Sequence, residues 1–291
     1  MQIYTQKMEA LMSDAIAQKQ AQGQAWSRIS VPVSGTTSES LSLELAAQLA
    51  AAFQAQLNVL FTPPDPAELA PWLGEGFMGT VQMATMESLK TAAEESELAA
   101  RAQFAAVECP GKAFTALNSP VWQDLAMETR LSDLMVFSDV SARGQGMLSE
   151  AFQQVLMEER TGVFIARKPF NINGTAVVAW DGKEPSSRAA RRALPLLKKA
   201  SRIVIIGAPV GDQPPELERL AAYYAAHGLK AEVDSLPKGD VVQALTAAAE
   251  RYKADYMVAG AYGRSRLREF AFGGTTRALL QHTQLNLYMA H

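Results

Sequence analysis

Cysteine and histidine are both scarce in this sequence. The chain of 291 residues contains one cysteine, Cys109, and three histidines. A single cysteine cannot form an intramolecular disulfide, and so few thiols and imidazoles do not suffice for a Cys/His zinc site. The composition therefore predicts a protein of a reducing compartment, and we expect a cytoplasmic location.

Long hydrophobic runs are also missing. A membrane helix needs about 18 consecutive apolar residues, and no stretch of this sequence approaches that length. Residues 1–26 carry Lys7, Glu9, Asp14 and Lys19, which interrupt the apolar core that a signal peptide requires. We therefore expect a helical extension at residues 1–26 and no role at or across a membrane.

The sequence has little net charge, but the charge is unevenly distributed. The formal net charge is −3, with 48% hydrophobic and 20% charged residues. This composition is typical of a packed globule and argues against overall affinity for nucleic acid. Residues 1–167 hold 10 Lys+Arg against 19 Asp+Glu, a net −9, whereas residues 168–291 hold 17 against 11, a net +6. Two solvated surfaces can differ in this way, but the basic half could also house an anionic ligand.

The sequence contains an internal repeat. The segment SRISVPVSG (27–35), an apolar helical stretch and AQLNVLF (55–61) read as strand, helix and strand. The segments GTAVVAWDG (174–182), SSRAARRALPLLKKA and SRIVIIG (201–207) repeat that order. Pro195 is expected to kink the helix of the second copy. The chain therefore contains two copies of one αβ unit.

The fold class follows from the order of elements in each copy. Short apolar strands that alternate with helical stretches indicate a parallel sheet covered on both faces. We predict an α/β protein with two tandem, doubly wound, five-stranded parallel-sheet domains. The expected division is a helical extension at 1–26, a first domain at 27–168 and a second domain at 174–291. The first domain carries a Met- and Ala-rich insertion between its second and third strands, which we expect to be a long covering helix with an irregular lead-in, or else an apolar lid.

The segment from Gly260 to Thr276 combines the residue types that suit an anionic ligand. It begins where the strand DYMVAG ends and leads into the helix TTRALLQ, and it contains four glycines, three arginines and two threonines. In a doubly wound sheet, ligands bind beyond the carboxyl ends of the strands, where amides and a helix N-terminus can face an anion. The alternative is an ordinary loop between a strand and a helix. Spacing alone leaves the two interpretations evenly balanced.

The pattern G-x2-G-x9-G, followed by hydroxyl residues and a short apolar last strand, resembles the universal stress protein family. The resemblance covers both copies and implies a tandem member, with the adenine nucleotide alpha hydrolase-like fold of that family. It implies that the loop holds the ribose and phosphates of ATP, or of AMP or ADP, alone or with Mg²⁺. It also implies that Asp181, directly after the first strand, contacts the adenine. Gly274 departs from the family, which commonly has Ser or Thr there, and the departure removes one hydroxyl donor.

The resemblance implies a specific set of nucleotide-binding residues and no catalytic or metal-ligating ones. The set comprises Ala179, Asp181, Gly207, Gly260, Gly263, Arg264, Gly273, Gly274, Thr275 and Thr276.

The first copy departs further from the pattern. Ser34 stands where the second copy has Asp181, Ser138 stands opposite Gly260, and Glu150 stands opposite Gly274. A carboxylate at a phosphate site repels the ligand. We therefore expect one nucleotide per chain, bound in the second domain, and a structural or partner-binding role for the first.

The last strands of the two copies, GVFIAR (162–167) and NLYMAH (286–291), would be open sheet edges unless they paired. We predict that they pair with each other, as in the dimers of single-domain family members. A further homodimer remains open.

The function that follows is adenine-nucleotide binding in a stress-response regulator or binding module, with the nucleotide as partner and no nucleic acid or membrane. One alternative is an interaction scaffold that has lost nucleotide binding, with its protein partner unknown. Another is a slow ATP hydrolase on the same site, since Mg²⁺ and positioned amides alone assist phosphoryl transfer.

Overall fold

The computed structural model describes residues 26–64, 80–118, 120–209, 215–237, 239–261 and 274–291. The extension predicted for residues 1–26 therefore lies, except for Trp26, outside the described residues.

Ten strands and ten helices account for the regular structure of the described residues. The strands are β1 (Arg28–Val33), β2 (Gln56–Phe61), β3 (Lys112–Ala116), β4 (Leu134–Ser138), β5 (Val163–Ala166), β6 (Thr175–Ala179), β7 (Arg202–Gly207), β8 (Glu232–Ser235), β9 (Tyr256–Gly260) and β10 (Asn286–Ala290). The helices are α1 (Ser40–Phe53), α2 (Thr80–Ala106), α3 (Val121–Arg130), α4 (Asp139–Ala142), α5 (Ser149–Gln154), α6 (Glu184–Arg192), α7 (Leu194–Leu197), α8 (Leu217–Ala226), α9 (Val241–Arg251) and α10 (Gly274–His282). A 3₁₀ turn (Thr37–Glu39) precedes α1, and a π-helical turn (Val155–Glu159) extends α5.

All ten strands form one sheet in the order β3-β2-β1-β4-β5-β10-β9-β6-β7-β8. Each half of this order is a five-stranded parallel arrangement in which the first strand lies between the second and the fourth. The predicted doubly wound α/β architecture is thus confirmed. Alternate strand residues face opposite sides of the sheet, and buried apolar side chains pack on both sides.

The two halves meet through their last strands. β5 and β10 pair antiparallel, with Tyr288 opposite Phe164 and Met289 opposite Val163. This confirms the pairing predicted from the sequence, and it removes two edges that would otherwise be open to aggregation. Because the pairing is antiparallel, the parallel strands of the two halves run in opposite directions.

Two local predictions from the sequence are also confirmed. Helix α6 ends at Arg192 and α7 begins at Leu194, so the helix is interrupted just before Pro195, where the missing N–H and the ring disfavour a continuous helix. The insertion of the first half contains the 27-residue helix α2.

Candidate functional site

A cavity of about 310 Å³ lies at the carboxyl ends of β6, β7 and β9. These strands flank the point where the strand order reverses, since β6 lies between β9 and β7. Doubly wound sheets bind their ligands at such a switch point, because the helices that follow neighbouring strands diverge there to opposite faces.

The walls of the cavity are partly apolar and partly polar. Ile206, Ala208, Val241, Leu245 and Leu279 provide apolar surface. The first turns of α6 and α10 also line the cavity, so backbone N–H groups of two helix N-termini lie at its border. An apolar wall beside helix N-termini suits a ligand with a flat apolar part and an anionic part.

Asp181 is held at the rim of the cavity by the start of α6. Its Oδ1 accepts hydrogen bonds from Ser186 Oγ at 2.6 Å and from the Lys183 amide at 3.0 Å. Lys183 Nζ lies 3.7 Å from Oδ2, and the Asp181 side chain is 43% exposed. The carboxylate is therefore oriented by the protein and still open to a ligand.

Sequence reasoning missed Trp180 and Ser186. The Trp180 indole Nε1 is buried and has no hydrogen-bond partner among the described residues, and Trp180 lines the cavity. Buried donors normally have a hydrogen-bond partner. The indole N–H is therefore a candidate donor to a ligand in the cavity. The only signal in the sequence is that Trp180 directly precedes Asp181.

Two of the predicted glycines have a structural role that the sequence did not indicate. A Cβ at Gly260 would lie 2.5 Å from the Pro185 carbonyl carbon, and closer still to the Ser186 amide. A Cβ at Gly207 would lie 2.9 Å from Leu217 Cδ2 and would strike the Trp180 carbonyl oxygen. Both glycines therefore let protein segments pack closely around the cavity, and their close approach is to the protein itself.

The remaining predicted residues divide into two groups. Gly274, Thr275 and Thr276 form the first turn of α10 and line the cavity together with Ala179. Thr276 is buried, whereas Gly274 and Thr275 are exposed. Gly263, Arg264 and Gly273 lie outside the described residues.

The first half of the chain holds the C-terminal end of α10. The Arg167 side chain is 1% exposed, and its Nη2 donates to the Leu280 carbonyl at 2.6 Å. Arg143 donates to the carbonyls of Gln281 and Thr283, and both arginines pair with Asp139. Cations favour the carbonyl end of a helix. The helix that lines the cavity is thus anchored by the first half.

The corresponding edge of the first half is closed by its own side chains. The Glu39 carboxylate is 3% exposed and accepts hydrogen bonds from the Ser34 amide at 2.7 Å and the Ser34 hydroxyl at 2.6 Å. Helix α2 packs against the same turn, where a Cβ at Gly35 would lie 3.0 Å from the Ser96 carbonyl carbon. Glu150, which sequence reasoning placed opposite Gly274, is exposed in the first turn of α5. A ligand at this edge of the first half is therefore obstructed mainly by the buried Glu39 side chain and by α2. The exposed Glu150 contributes less to this obstruction.

The burial of Glu39 leads to a prediction about how the stability of the protein depends on pH. Desolvation raises the pKa of Glu39, and the hydrogen bonds from Ser34 and Thr36 offset only part of that effect. A carboxyl whose pKa is raised on folding stabilises the protein at low pH and loses this contribution as pH rises through the folded pKa. We therefore expect Glu39→Gln to destabilise the protein more at about pH 4 than at about pH 7.5. Urea unfolding of both proteins at the two pH values measures this difference, and a larger effect at the higher pH would contradict it.

The described part of the chain offers neither a membrane-spanning helix nor a cluster of metal-binding side chains. No helix there is long and apolar enough to cross a membrane. Within the same residues, no group of three or more His, Cys, Asp or Glu side chains could hold a metal ion.

Residues 173–291 match the model of the universal stress protein family. A universal stress protein from Archaeoglobus fulgidus DSM 4304 is similar in structure, with a TM-score of 0.61 and 17% identity, over 90% of this chain and 97% of that one. A protein of unknown function from Pseudomonas aeruginosa PAO1 gives a TM-score of 0.55 and 12% identity, over 92% of each chain. Among curated proteins, none is significantly similar in sequence.

The two structural likenesses extend over both halves, and at these identities they concern the fold alone. The family match is to the half that carries the cavity. Residues 173–291 therefore carry the universal stress protein domain that the family model describes.

Proposed function

We propose that the chain binds one adenine nucleotide, ATP, ADP or AMP, in the cavity at the carboxyl ends of β6, β7 and β9. The nucleotide binds alone or with Mg²⁺, and the protein serves as a regulatory or binding component of a cytoplasmic stress response. The domain division that accompanies this proposal is 27–168 and 174–291, with the cavity in the second domain.

The observation that carries the proposal is the position of the cavity at the switch point of the sheet, between two helix N-termini. Apolar side chains of Ile206 and Leu279 could contact a base, and Asp181 and the Trp180 indole offer an acceptor and a donor at its edge. The first turn of α10 offers N–H groups and hydroxyls to phosphate. The family resemblance assigns adenine contact to Asp181 and phosphate contact to the loop before α10. It therefore supports the same orientation of the nucleotide in the cavity.

The stoichiometry and the role of Asp181 are tested together. Titration calorimetry with ATP, ADP and AMP is expected to give one site per chain. Asp181→Ala removes a charged hydrogen-bond acceptor, so we expect affinity to fall by about tenfold or more. Mass spectrometry of nucleotide released from the purified protein provides independent evidence.

The matched control is Ser34→Ala, at the equivalent position of the first half, which should leave nucleotide affinity unchanged. Ser186→Ala tests the orientation of the Asp181 carboxylate separately from its charge. It removes the hydroxyl that donates to Asp181 and leaves the carboxylate in place. Two equivalent sites per chain, or unaltered affinity in Asp181→Ala, would overturn the proposed site.

An interaction scaffold is the second candidate. Exposed apolar side chains favour it, since Leu98 is 71%, Met127 62% and Leu131 70% exposed, all in the first half. Absence of any nucleotide affinity, together with intact folding, would favour the scaffold. Measurable turnover of ATP would instead favour the slow hydrolase.

A further inference from the structure

A second and larger cavity lies between the two halves of the chain. It is a groove of about 1010 Å³ and shares no lining residue with the cavity at β6, β7 and β9. One wall consists of residues that precede β1, β4 and β5 in the first half. The other consists of α6, α7 and the end of α8 in the second half.

The groove is strongly basic. Six cationic side chains and two carboxylates line it, namely Arg130, Arg160, Arg188, Arg191, Arg192 and Lys198, with Asp133 and Glu159. These residues come from separate segments of both halves. Their convergence accounts for part of the excess positive charge that the sequence places in residues 168–291.

The two carboxylates are already engaged. Glu159 accepts two hydrogen bonds from Arg130, at 2.7 and 2.9 Å. Asp133 accepts from the amides of Ser27 and Arg28, at 2.7 and 3.0 Å. Glu159 is therefore neutralised by Arg130, whereas Asp133 keeps its negative charge and forms no ion pair with a cation of the groove in the described part of the chain.

Four cations of the groove form no ion pair within the described part of the chain. Among the described residues, no carboxylate lies within ion-pair distance of Arg160, Arg191, Arg192 or Lys198, whereas Arg188 pairs with Glu184. Arg192 donates to the Arg160 carbonyl oxygen, which orients its guanidinium without neutralising it. Like charges gathered in one concave space repel one another, and an anion would relieve that repulsion.

The preference of cations for the C-terminal end of a helix explains only part of this basic cluster. Arg191 and Arg192 lie in the last turn of α6, where cations favour the helix dipole. The equivalent helix of the first half, α1, contains no Lys or Arg at all and is nevertheless formed. The dipole also cannot account for Arg160 or Lys198, which approach the same space from other segments.

A hydroxyl donor completes the groove. Tyr288 of β10 lies at its floor, is 1% exposed overall and makes no hydrogen bond through its hydroxyl to any described residue. Gly162 lies against this hydroxyl, where a Cβ would be 3.1 Å from Tyr288 Cζ. A buried hydroxyl beside several guanidinium groups is suited to donate to an anionic oxygen.

We propose that this groove is a second ligand site, which binds a small anion carrying two or more phosphate groups. Guanidinium forks match phosphate oxygens in a bidentate manner. Four cations without an ion pair among the described residues, against the single free carboxylate of Asp133, leave a net positive charge that suits a multivalent anion. The volume is that of a site for a small molecule. The proposal does not depend on nucleotide binding at the other cavity.

The test uses inorganic tripolyphosphate as the probe, with the full chain and titration calorimetry. Arg191→Gln with Lys198→Gln removes two cations of the groove, and we expect affinity to fall by about tenfold or more. The control is Arg219→Gln with Lys230→Gln, an equal change in charge at exposed residues outside the groove. The control should change affinity by less than about twofold, because neither residue lines the groove and salt screens charges that do not contact the probe.

The outcomes separate the proposal from its alternatives. No binding of tripolyphosphate by the unaltered protein, or an equal loss in both double variants, would overturn the site. Unchanged affinity in the groove variant would place the probe elsewhere and would also overturn it. If the double variant folds poorly, the single variant Lys198→Gln takes its place in the test, because Lys198 is exposed. Weaker binding of inorganic phosphate than of tripolyphosphate is expected for a multivalent site.

Discussion

Replacing Arg167 with alanine is expected to reduce the free energy of unfolding by about 1.5–3 kcal/mol, the range for hydrogen bonds that involve a charged group. The side chain is 1% exposed and pairs with Asp139 through Nε at 2.6 Å. It also donates to the carbonyl oxygens of Leu279, Leu280 and Leu285. Its loss would leave these carbonyls without that donor. Denaturant unfolding with comparison of m-values measures the change.

Arg202→Ala is the matched control for Arg167→Ala. Arg202 also forms a two-bond pair, with Glu232 at 2.9 and 2.7 Å, but its side chain is 43% exposed. Exposed pairs contribute less than about 1 kcal/mol. Arg167→Lys should recover part of the loss, because it restores charge but not the planar fork. If Arg167→Ala cost no more than Arg202→Ala, the anchoring of α10 by the first half would be disproved.

Gly260→Ala is expected to disturb both stability and the nucleotide site. The added Cβ would strike the backbone of Pro185 and Ser186, which cannot move without shifting the start of α6. Overpacking of this kind costs about 1–3 kcal/mol. Because Pro185 and Ser186 also line the cavity, we expect a loss of nucleotide affinity in the same variant. Thermal unfolding and calorimetric titration measure the two effects.

Gly274→Ala provides the contrast for Gly260→Ala. Among the described residues, none lies within 4 Å of a Cβ added at Gly274, which is the first residue of α10. Stability should be unchanged or slightly higher, since alanine restricts the unfolded chain. Gly274→Ser additionally restores the hydroxyl that the family commonly has at this position. Equal destabilisation by alanine at positions 260 and 274 would contradict the packing role assigned to Gly260.

Much of the fold could be predicted because its signals are local. Apolar segments such as TAVVA (β6) and LMVFS (β4) are short, lie between helical stretches and recur in the same order in both copies. The pairing of β5 with β10 was also predictable, since an apolar last strand in each copy needs a partner. The break before Pro195 follows from the chemistry of one residue.

The candidate site was predictable only in outline. Asp181 could be predicted through the family resemblance, since it comes just after the first strand of the second copy, and the structure places it at the rim of the cavity. The Trp180 indole, which has no hydrogen-bond partner among the described residues, and the hydrogen bond from Ser186 could not be predicted, because both depend on how α6 returns over the sheet. The part of the loop from 262 to 273 lies outside the described residues, and the roles of Gly263, Arg264 and Gly273 stay predictions.

The sequence by itself determined the order of strands and helices, the internal repeat and the unequal charge of the two halves, because each is a property of neighbouring residues. Tertiary structure alone decided which polar groups meet across the fold. It brings Glu39 under Ser34, packs α2 over the same turn and gathers Arg160, Arg191 and Lys198 around Tyr288. Residues far apart in the chain come together only when the halves join at β5 and β10, and no local pattern encodes such a meeting.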